Sequence, residues 1–467
     1  MNGPFNLSEL APALSARLIG GSCEVLGVST DTRNIQAGDL FIALRGDNFD
    51  AHNFVSQAVV DGAVAVVVER EVDVDVPQLV VSNTRMALGN IAAYNRNRFE
   101  GALFAVTGSS GKTTVKEMLA SINQLRGQTL ATQGNLNNDI GVPLTLLRLS
   151  TGDQFAVIEM GASGAHEIAY STHLAKPDVA ILNNAMGAHL EGFGSLKGVV
   201  QAKAEIFEGL SADGIAVVNQ DDPHVQVWLG MLQQQPVMTF SLVNQQASVY
   251  ATDIKLQDNG CYAFSMNYEG YQYPVSLGLM GRHNIANALA AMTAVLADGC
   301  DPQIAAEGVG QCQGAAGRMR PFQLDELTLL IDDSYNANPD AVKAAVDALV
   351  ELQGESVLVL GDMGELGEGA ELKHRDVGEY AAAKNVDALF CCGVMSQEAV
   401  EGFAAAGGKQ SQNFKDKPTL LSALRQLPKN RRNLLVKGSR SAGMDQIVTE
   451  LIKMNVTVTE STDGGSH

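Results

Sequence analysis

The chain has 467 residues, 46% apolar and 18% charged, and at about 150 residues per domain this suits about three globular units with their own cores. Its 32 Lys and Arg against 52 Asp and Glu give a net charge of −20, which argues against neutralising nucleic-acid phosphates or docking on an anionic membrane as its main task. Phosphate ligands stay open, because a few backbone amides and one lysine hold those locally.

Residues 1–97 hold short strand candidates, Asp39–Leu44 and Ala63–Val68, between Gly- and Asp-containing turns. From 98 to 313 strands and helices alternate, which predicts a mainly parallel sheet. The strands are Phe104–Thr107, Phe155–Glu159, Val179–Asn183 and Ile215–Asn219, with a helix over Thr113–Gln124. Residues 314–467 read as a second open α/β unit, with strands Thr328–Asp332, Ser356–Leu360, Ala388–Cys392 and Leu434–Lys437 and a helix over Asp340–Leu352. The tail, 461–467, reads as unstructured. No stretch approaches the roughly 18 apolar residues of a membrane span. The N-terminus lacks the basic start of a secretory signal. Six cysteines without CxxC pairing suit reduced thiols in a cytosolic protein and give no support to a zinc site.

Chemistry concentrates where strands end. Ala105 to Thr114 reads AVTGSSGKTT, a strand entering a glycine loop that opens a helix. Gly108 and Gly111 let the backbone approach oxygen atoms. The amides of Ser109, Ser110 and their neighbours then face phosphates at the helix N-terminus. Lys112 would reach the β/γ-phosphates, Thr113 would hold magnesium, and Thr114 completes the ATP-binding loop as it enters the helix. The strict GxxxxGK[ST] spacing is not met, since Val106 stands where its first glycine would. The plain alternative is a Gly-rich turn before an ordinary helix.

Glu159 ends a strand, where a carboxylate can join a magnesium already engaged by phosphates. His189 lies in a Gly-rich loop over 183–194 and is read as either structural or functional. Lys203 is, unaided, a surface charge on a helix. Asn135 and Asn138 belong to an amide cluster that suits a sugar or peptide, or simply a turn. His283 and Asn287 sit four apart at a helix start and could meet a base. Arg318 lies in a GRMRP segment with the character of a hinge. Asp333, Asn336 and Asn338 fall in DDSYNANPD, rich in groups for ribose or peptide, and equally an N-cap cluster with proline in the first turn. The loops at 361–365 and 437–440 follow strands of the same block.

Together TGSSGKT, GNLNNDIGVP, HLEGFGS, GRHNIANALAA, DDSYNANP, GDMGELG and KGSRS closely resemble the ATP-dependent Mur ligases of bacterial cell-wall synthesis. The likeness runs from residue 30 to residue 444, and the family's short TGxxGKT loop accounts for the missing glycine. It implies an α/β protein of three domains: 1–97 for the UDP-sugar end, a central P-loop parallel-sheet ATPase domain at 98–313, and a C-terminal Rossmann-like domain at 314–467. Within the family the segments resemble the branch that joins D-alanyl-D-alanine to UDP-N-acetylmuramoyl-tripeptide.

Residue by residue, the resemblance implies that Thr32 and Arg33 serve the uridine side and Asn135 and Asn138 the muramoyl-peptide. Thr113, Glu159 and His189 match magnesium positions. Lys203 matches a lysine that several relatives carry as a carbamate. His283, Asn287, Arg318 and Asp333 match nucleotide positions, and Asn336 and Asn338 plausible dipeptide contacts. The expected cofactors are ATP and two Mg2+ ions. The expected chemistry is an acyl phosphate made from the tripeptide carboxylate, then attacked by the amine. That demands charge neutralisation and alignment by Lys112, Arg318, His189 and Lys203 rather than a protein nucleophile. A cytoplasmic monomer is expected. The rival readings are a related amide ligase with another amine, and a P-loop ATPase switch.

Overall fold

Strand β1 (Arg17–Ile19), β2 (Gly27–Ser29), β3 (Asp39–Ile42), β4 (Ala65–Val68) and β5 (Gln78–Val80) form a sheet in the order β1-β5-β4-β3-β2. All its pairs are parallel except β1 with β5. The computed structural model describes every residue except Asn2, Asp47, Asn48, Ala188, His189, Gln233, Asp258, Asn259, Ala315, Glu365, Lys429 and 463–467, and only the backbone of Leu190, Glu191 and 454–462. Every residue of β3 and β4 is buried, which explains the apolar runs Leu40–Ile42 and Ala65–Val68. The sequence extended β4 back to Ala63. There the N–H instead bonds the Ala58 carbonyl and closes the preceding helix, so the strand starts two residues later. Helix α1 (Thr84–Arg96) starts at Asn83, whose side chain accepts from the N–H groups of Arg85 and Met86. Its Leu88 and Ile91 share one apolar cluster with Leu103, Leu146, Ile158 and Ile168.

The largest sheet uses β6 (Ala102–Thr107), β7 (Thr129–Ala131), β8 (Phe155–Glu159), β9 (Val179–Leu182), β10 (Ile215–Asn219), β11 (Val237–Ser241), β12 (Val249–Leu256), β13 (Cys261–Tyr268) and β14 (Tyr271–Met280). Its order is β14-β13-β12-β11-β10-β9-β6-β8-β7. The pairs from β7 through β12 are parallel, as strand–helix alternation predicts. Chain order reverses at β6, with β8 on one side and β9 on the other, so the carboxyl end of β6 is a topological switch point. Strands β13 and β14, absent from the sequence reading, meet at Glu269–Gly270. Both residues have positive φ, 50° and 81°, the geometry of a two-residue hairpin turn.

The last sheet contains β15 (Arg320–Gln323), β16 (Thr328–Asp333), β17 (Glu355–Gly361), β18 (Ala388–Cys392), β19 (Gln410–Phe414) and β20 (Arg432–Lys437), in the order β15-β16-β20-β17-β18-β19. Only β15 is antiparallel. Alternate residues enter two clusters: Ile331, Leu358, Leu389 and Leu435 on one face, Leu330, Val359, Phe390 and Val436 on the other. The alternation also separates the adjacent thiols. Cys391 is buried and Cys392 is half-buried, where the sequence suggested two buried thiols. The final helix, Asp445–Thr462, runs two residues into the tail expected to lack structure; 463–467 lie outside the described residues.

Contacts divide the chain into two units, 1–252 with 265–275 and 286–309, and 253–264 with 276–285 and 310–467. Among the described residues no helix is long and apolar enough to cross a membrane.

Candidate active site

The glycine loop leaves β6 at the switch point and enters helix α2 (Lys112–Gln124). Gly111 caps α2 in the left-handed region, φ 77°. A Cβ there would lie 2.6 Å from Asn183 Nδ2 and closer still to Asn287 Oδ1. Residues after β9 clamp the loop from outside. Ser109 N–H donates to the Asn184 carbonyl at 3.1 Å and Ser110 N–H to Asn184 Oδ1 at 2.9 Å. The Ser109 hydroxyl donates to the Met186 carbonyl at 3.0 Å. Asn183 Nδ2 donates to the Ser110 carbonyl at 3.1 Å and to Asn287 Oδ1 at 2.9 Å. Asn287 therefore stands against the loop at Gly111, through its bond with Asn183. The next strand supports the clamp in turn, through Asn219 Nδ2 to the Asn183 carbonyl and Asp222 Oδ2 from the Ala185 N–H. Thr114 is buried.

Glu159, at the end of β8, is 2% exposed. Its Oε1 accepts from the Thr113 hydroxyl at 3.2 Å and from Asn137 Nδ2 at 2.9 Å, and its N–H donates to the Thr132 hydroxyl. Its Oε2 is buried with no hydrogen-bond partner. A buried carboxylate oxygen left unpaired is costly unless a cation meets it. The pair Thr113–Glu159 therefore fits magnesium, an oxygen-seeking ion that shares its ligands with phosphates. Among the described residues no trio of His, Cys, Asp or Glu could hold a metal alone.

Lys203 overturns its surface reading. It lies near the end of a helix over Leu196–Ala204 and is 3% exposed, its ammonium 5.4 Å from the Phe193 ring centre. Burial, with the Lys112 charge adding, lowers its pKa to about 7 against the pull of Glu167 and Glu205. His189 lies outside the described residues.

Other assignments find different surroundings. Arg33 is tied to its neighbour: its guanidinium bonds both Asp31 oxygens and holds that carboxyl at about 2. Thr32 opens the same short 3-10 turn. Asn135 and Asn138 are exposed, and Asn138 Oδ1 accepts from Gly141 N–H. Asn137, not singled out in the sequence, is the member of that cluster that meets Glu159.

In the other unit, three hydrogen bonds grip the segment around Arg318. Asp332 Oδ2 accepts from Gly317 N–H, Asp333 Oδ1 from Met319 N–H, and the Gly317 carbonyl from Tyr335 N–H. Arg318 then lies over the Tyr335 ring at 4.5 Å. Asp333 Oδ2 pairs with the buried Lys437 ammonium at 2.5 Å, so both its oxygens are already engaged. Exposed His283 starts its helix, folded back over Gly281. Asn338 caps a helix (Pro339–Val350) through Oδ1 and Ala341 N–H, as its N-cap alternative states. Exposed Asn336 bonds the N–H of Ala337. In the 361–365 loop, Met363 N–H is held by buried His374 Nε2 at 2.9 Å and Asp362 by Ser396, while the Asp362 carbonyl accepts from Ser439. Glu365 lies outside the described residues.

The sequence matches the Mur ligase family, catalytic domain, over residues 24–97, the Mur ligase middle domain over 106–295, and the Mur ligase, glutamate ligase domain, over 317–440. The chain belongs to the Mur ligase family. A relative from Escherichia coli K12, named UDP-N-acetylmuramoyl-tripeptide–D-alanyl-D-alanine ligase, is 44% identical, covering 95% of this chain and 98% of its own. A crystal structure of MurF from Acinetobacter baumannii superposes with a TM-score of 0.88 at 36% identity, covering 97% and 99%. The Mur ligase structure of MurF from Thermotoga maritima in complex with ADP gives 0.80 at 27%, covering 92% and 98%.

Proposed function

We propose that this chain joins D-alanyl-D-alanine to UDP-N-acetylmuramoyl-tripeptide with ATP, giving the pentapeptide nucleotide, ADP and phosphate. The observation that carries the ATP and magnesium site is the unpartnered Glu159 oxygen beside Thr113 at the mouth of a glycine-lysine loop, and the reaction class follows from the family. The amine follows from the E. coli relative that this chain matches over nearly its whole length. Three blocks, 1–97, 98–313 and 314–467, would serve the UDP-sugar, ATP and the dipeptide in a cytoplasmic monomer.

Lys112 leaves the Gly108 carbonyl for the β/γ-phosphates, and the amides of 111–113 would cradle them, since Asn184 already holds those of Ser109 and Ser110 where the sequence expected them to face phosphate. The tripeptide carboxylate attacks the γ-phosphorus; an O–P bond forms, the bond to ADP breaks, and an acyl phosphate results. The dipeptide amine then adds to the acyl carbon, loses its proton, and the tetrahedral intermediate expels phosphate. Both steps crowd anions, and Lys112 and Arg318 supply fixed positive charge against them. Thr113 and Glu159 would hold magnesium, which when bound neutralises and aligns the phosphates. At about 7, the Lys203 pKa leaves a large neutral fraction at cytoplasmic pH, and a neutral amine is what adds CO2 to form a carbamate. A carbamate there is an anion and a further metal ligand. His189 is carried by the resemblance alone. Thr32, Arg33, Asn135 and Asn138 would face the UDP-muramoyl-peptide, His283, Asn287 and Asp333 the nucleotide, and Asn336 and Asn338 the dipeptide.

Phosphate release is measured with ATP, magnesium and UDP-N-acetylmuramoyl-tripeptide, with and without D-Ala-D-Ala, and the product is weighed. Release that needs the dipeptide, with a gain of one D-Ala-D-Ala less water, is expected. Release indifferent to the dipeptide and without mass gain would transfer the site to another amine or to an ATPase.

A further inference from the structure

The amide cluster over 135–138 reads as a sugar- or peptide-binding loop, yet one member faces elsewhere. Asn137 Nδ2 donates to Glu159 Oε1 at 2.9 Å. The residue is itself fixed: its N–H donates to the Asn135 carbonyl at 2.8 Å, and its carbonyl accepts from Gly161 N–H at 2.8 Å. Gly161 packs against its amide, where an added Cβ would stand 3.1 Å from Asn137 Oδ1.

A carboxylate rotates about its last bond and can exchange its two oxygens. At Glu159 two donors, the Thr113 hydroxyl and the Asn137 amide, converge on Oε1. The Thr113 hydroxyl can turn its proton elsewhere, whereas the Asn137 amide is fixed by its backbone bonds and makes the shorter contact, so Asn137 is the donor that pins Oε1. An amide N–H on a carboxylate is a charge-assisted bond, shorter and stronger than a neutral one. With Oε1 held, Oε2 is the oxygen left bare, and it is the buried one without a partner.

We infer that Asn137 is a positioning residue for the divalent cation: it fixes the rotation of the Glu159 carboxylate so that Oε2 is presented to the metal. The inference rests on the magnesium site proposed above. It separates Asn137 from Asn135 and Asn138, which remain the candidates for the muramoyl-peptide.

The test is Mn2+ binding to the full-length protein in the presence of ADP, followed by electron paramagnetic resonance, for wild type, Asn137→Ala and Asn137→Leu. Leu keeps the volume and removes the donor, so it separates loss of the bond from a cavity. Outer partners of metal ligands are worth about 10- to 100-fold in affinity. Both variants should therefore bind Mn2+ about 10- to 100-fold more weakly, with ADP affinity in EDTA and the KM for UDP-muramoyl-tripeptide unchanged. Unchanged Mn2+ affinity in either folded variant, or a raised KM for the UDP-sugar with normal Mn2+ binding, overturns the inference. Wild-type protein that holds ADP but gains no Mn2+ site would remove the magnesium reading itself, and the role of Asn137 with it.

Discussion

The ammonium of Lys112 donates to the carbonyl of Gly108 at 2.7 Å, four residues back, so the loop's own lysine bridges the cradle it would open to phosphate. Lys112→Ala removes a charge aimed at the transferring group and one hydrogen bond to the Gly108 carbonyl. Turnover should fall at least about 100-fold, the scale of losing one preorganised electrostatic group. The stability change should stay within about 1 kcal/mol. Phosphate release and urea unfolding on the same sample check both; near-normal ligation would sink the phosphate-loop assignment.

Gly111→Ala should abolish ADP binding, because the methyl meets Asn183 and Asn287 and the backbone is left-handed there. Gly134→Ala is the control. Its φ is also positive, 54°, but nothing lies within 4 Å, so only the roughly 1–2 kcal/mol of backbone strain is expected. Calorimetric ADP titration and thermal midpoints for the two variants distinguish a filled cradle from a strained turn.

Lys203 makes stability depend on pH with a definite sign. Its folded pKa, about 7, lies below the ordinary lysine value of 10.5, so between the two the unfolded chain holds a proton that the folded one has shed. Stability therefore rises with pH across that window, and the cost of the buried cation is fully present below it. Lys203→Met should raise the thermal midpoint at pH 6 and give a shrinking advantage toward pH 10, in CO2-free buffer. An advantage that does not change with pH would show that the ammonium is not buried as described. In activity assays, Lys203→Ala should recover in part with added short carboxylic acids if a carbamate serves the reaction.

Asn338 has two assignments that substitution separates. As an N-cap, Asn338→Ala should cost about 1 kcal/mol and Asn338→Ser little. A dipeptide contact would instead raise the KM for D-Ala-D-Ala in both variants. Chemical denaturation and steady-state kinetics on the pair decide which role it has.

The phosphate loop was readable because glycines, lysine and threonine are consecutive and their backbone conformation is local. Glu159 was readable because parallel sheets gather ligands at strand ends and β8 has a plain apolar pattern. Lys203 was not, because a single charge on a short helix gives no sign of which face is covered; that depends on the elements packed over it. Asn137 could not be told from Asn135 and Asn138, since only the pairing of β8 beside β7 and β6 brings one of three neighbouring amides to the carboxylate. The Asn183–Asn184 clamp required knowing that β9 lies directly beside β6. The hairpin of β13 and β14 was missed because its turn, Glu-Gly, lacks the usual Asn-Gly signal.

The grip on residues 317–319 bears on how freely a cation can move. Arg318 hangs from a peptide anchored on both sides to aspartates of β16, which is itself hydrogen-bonded between β15 and β20. With its backbone held there, the guanidinium moves only as its own side-chain torsions allow. A side chain on a fixed base sweeps a small, defined volume, so the place of this charge is set by the six-stranded sheet rather than by the loop that carries it.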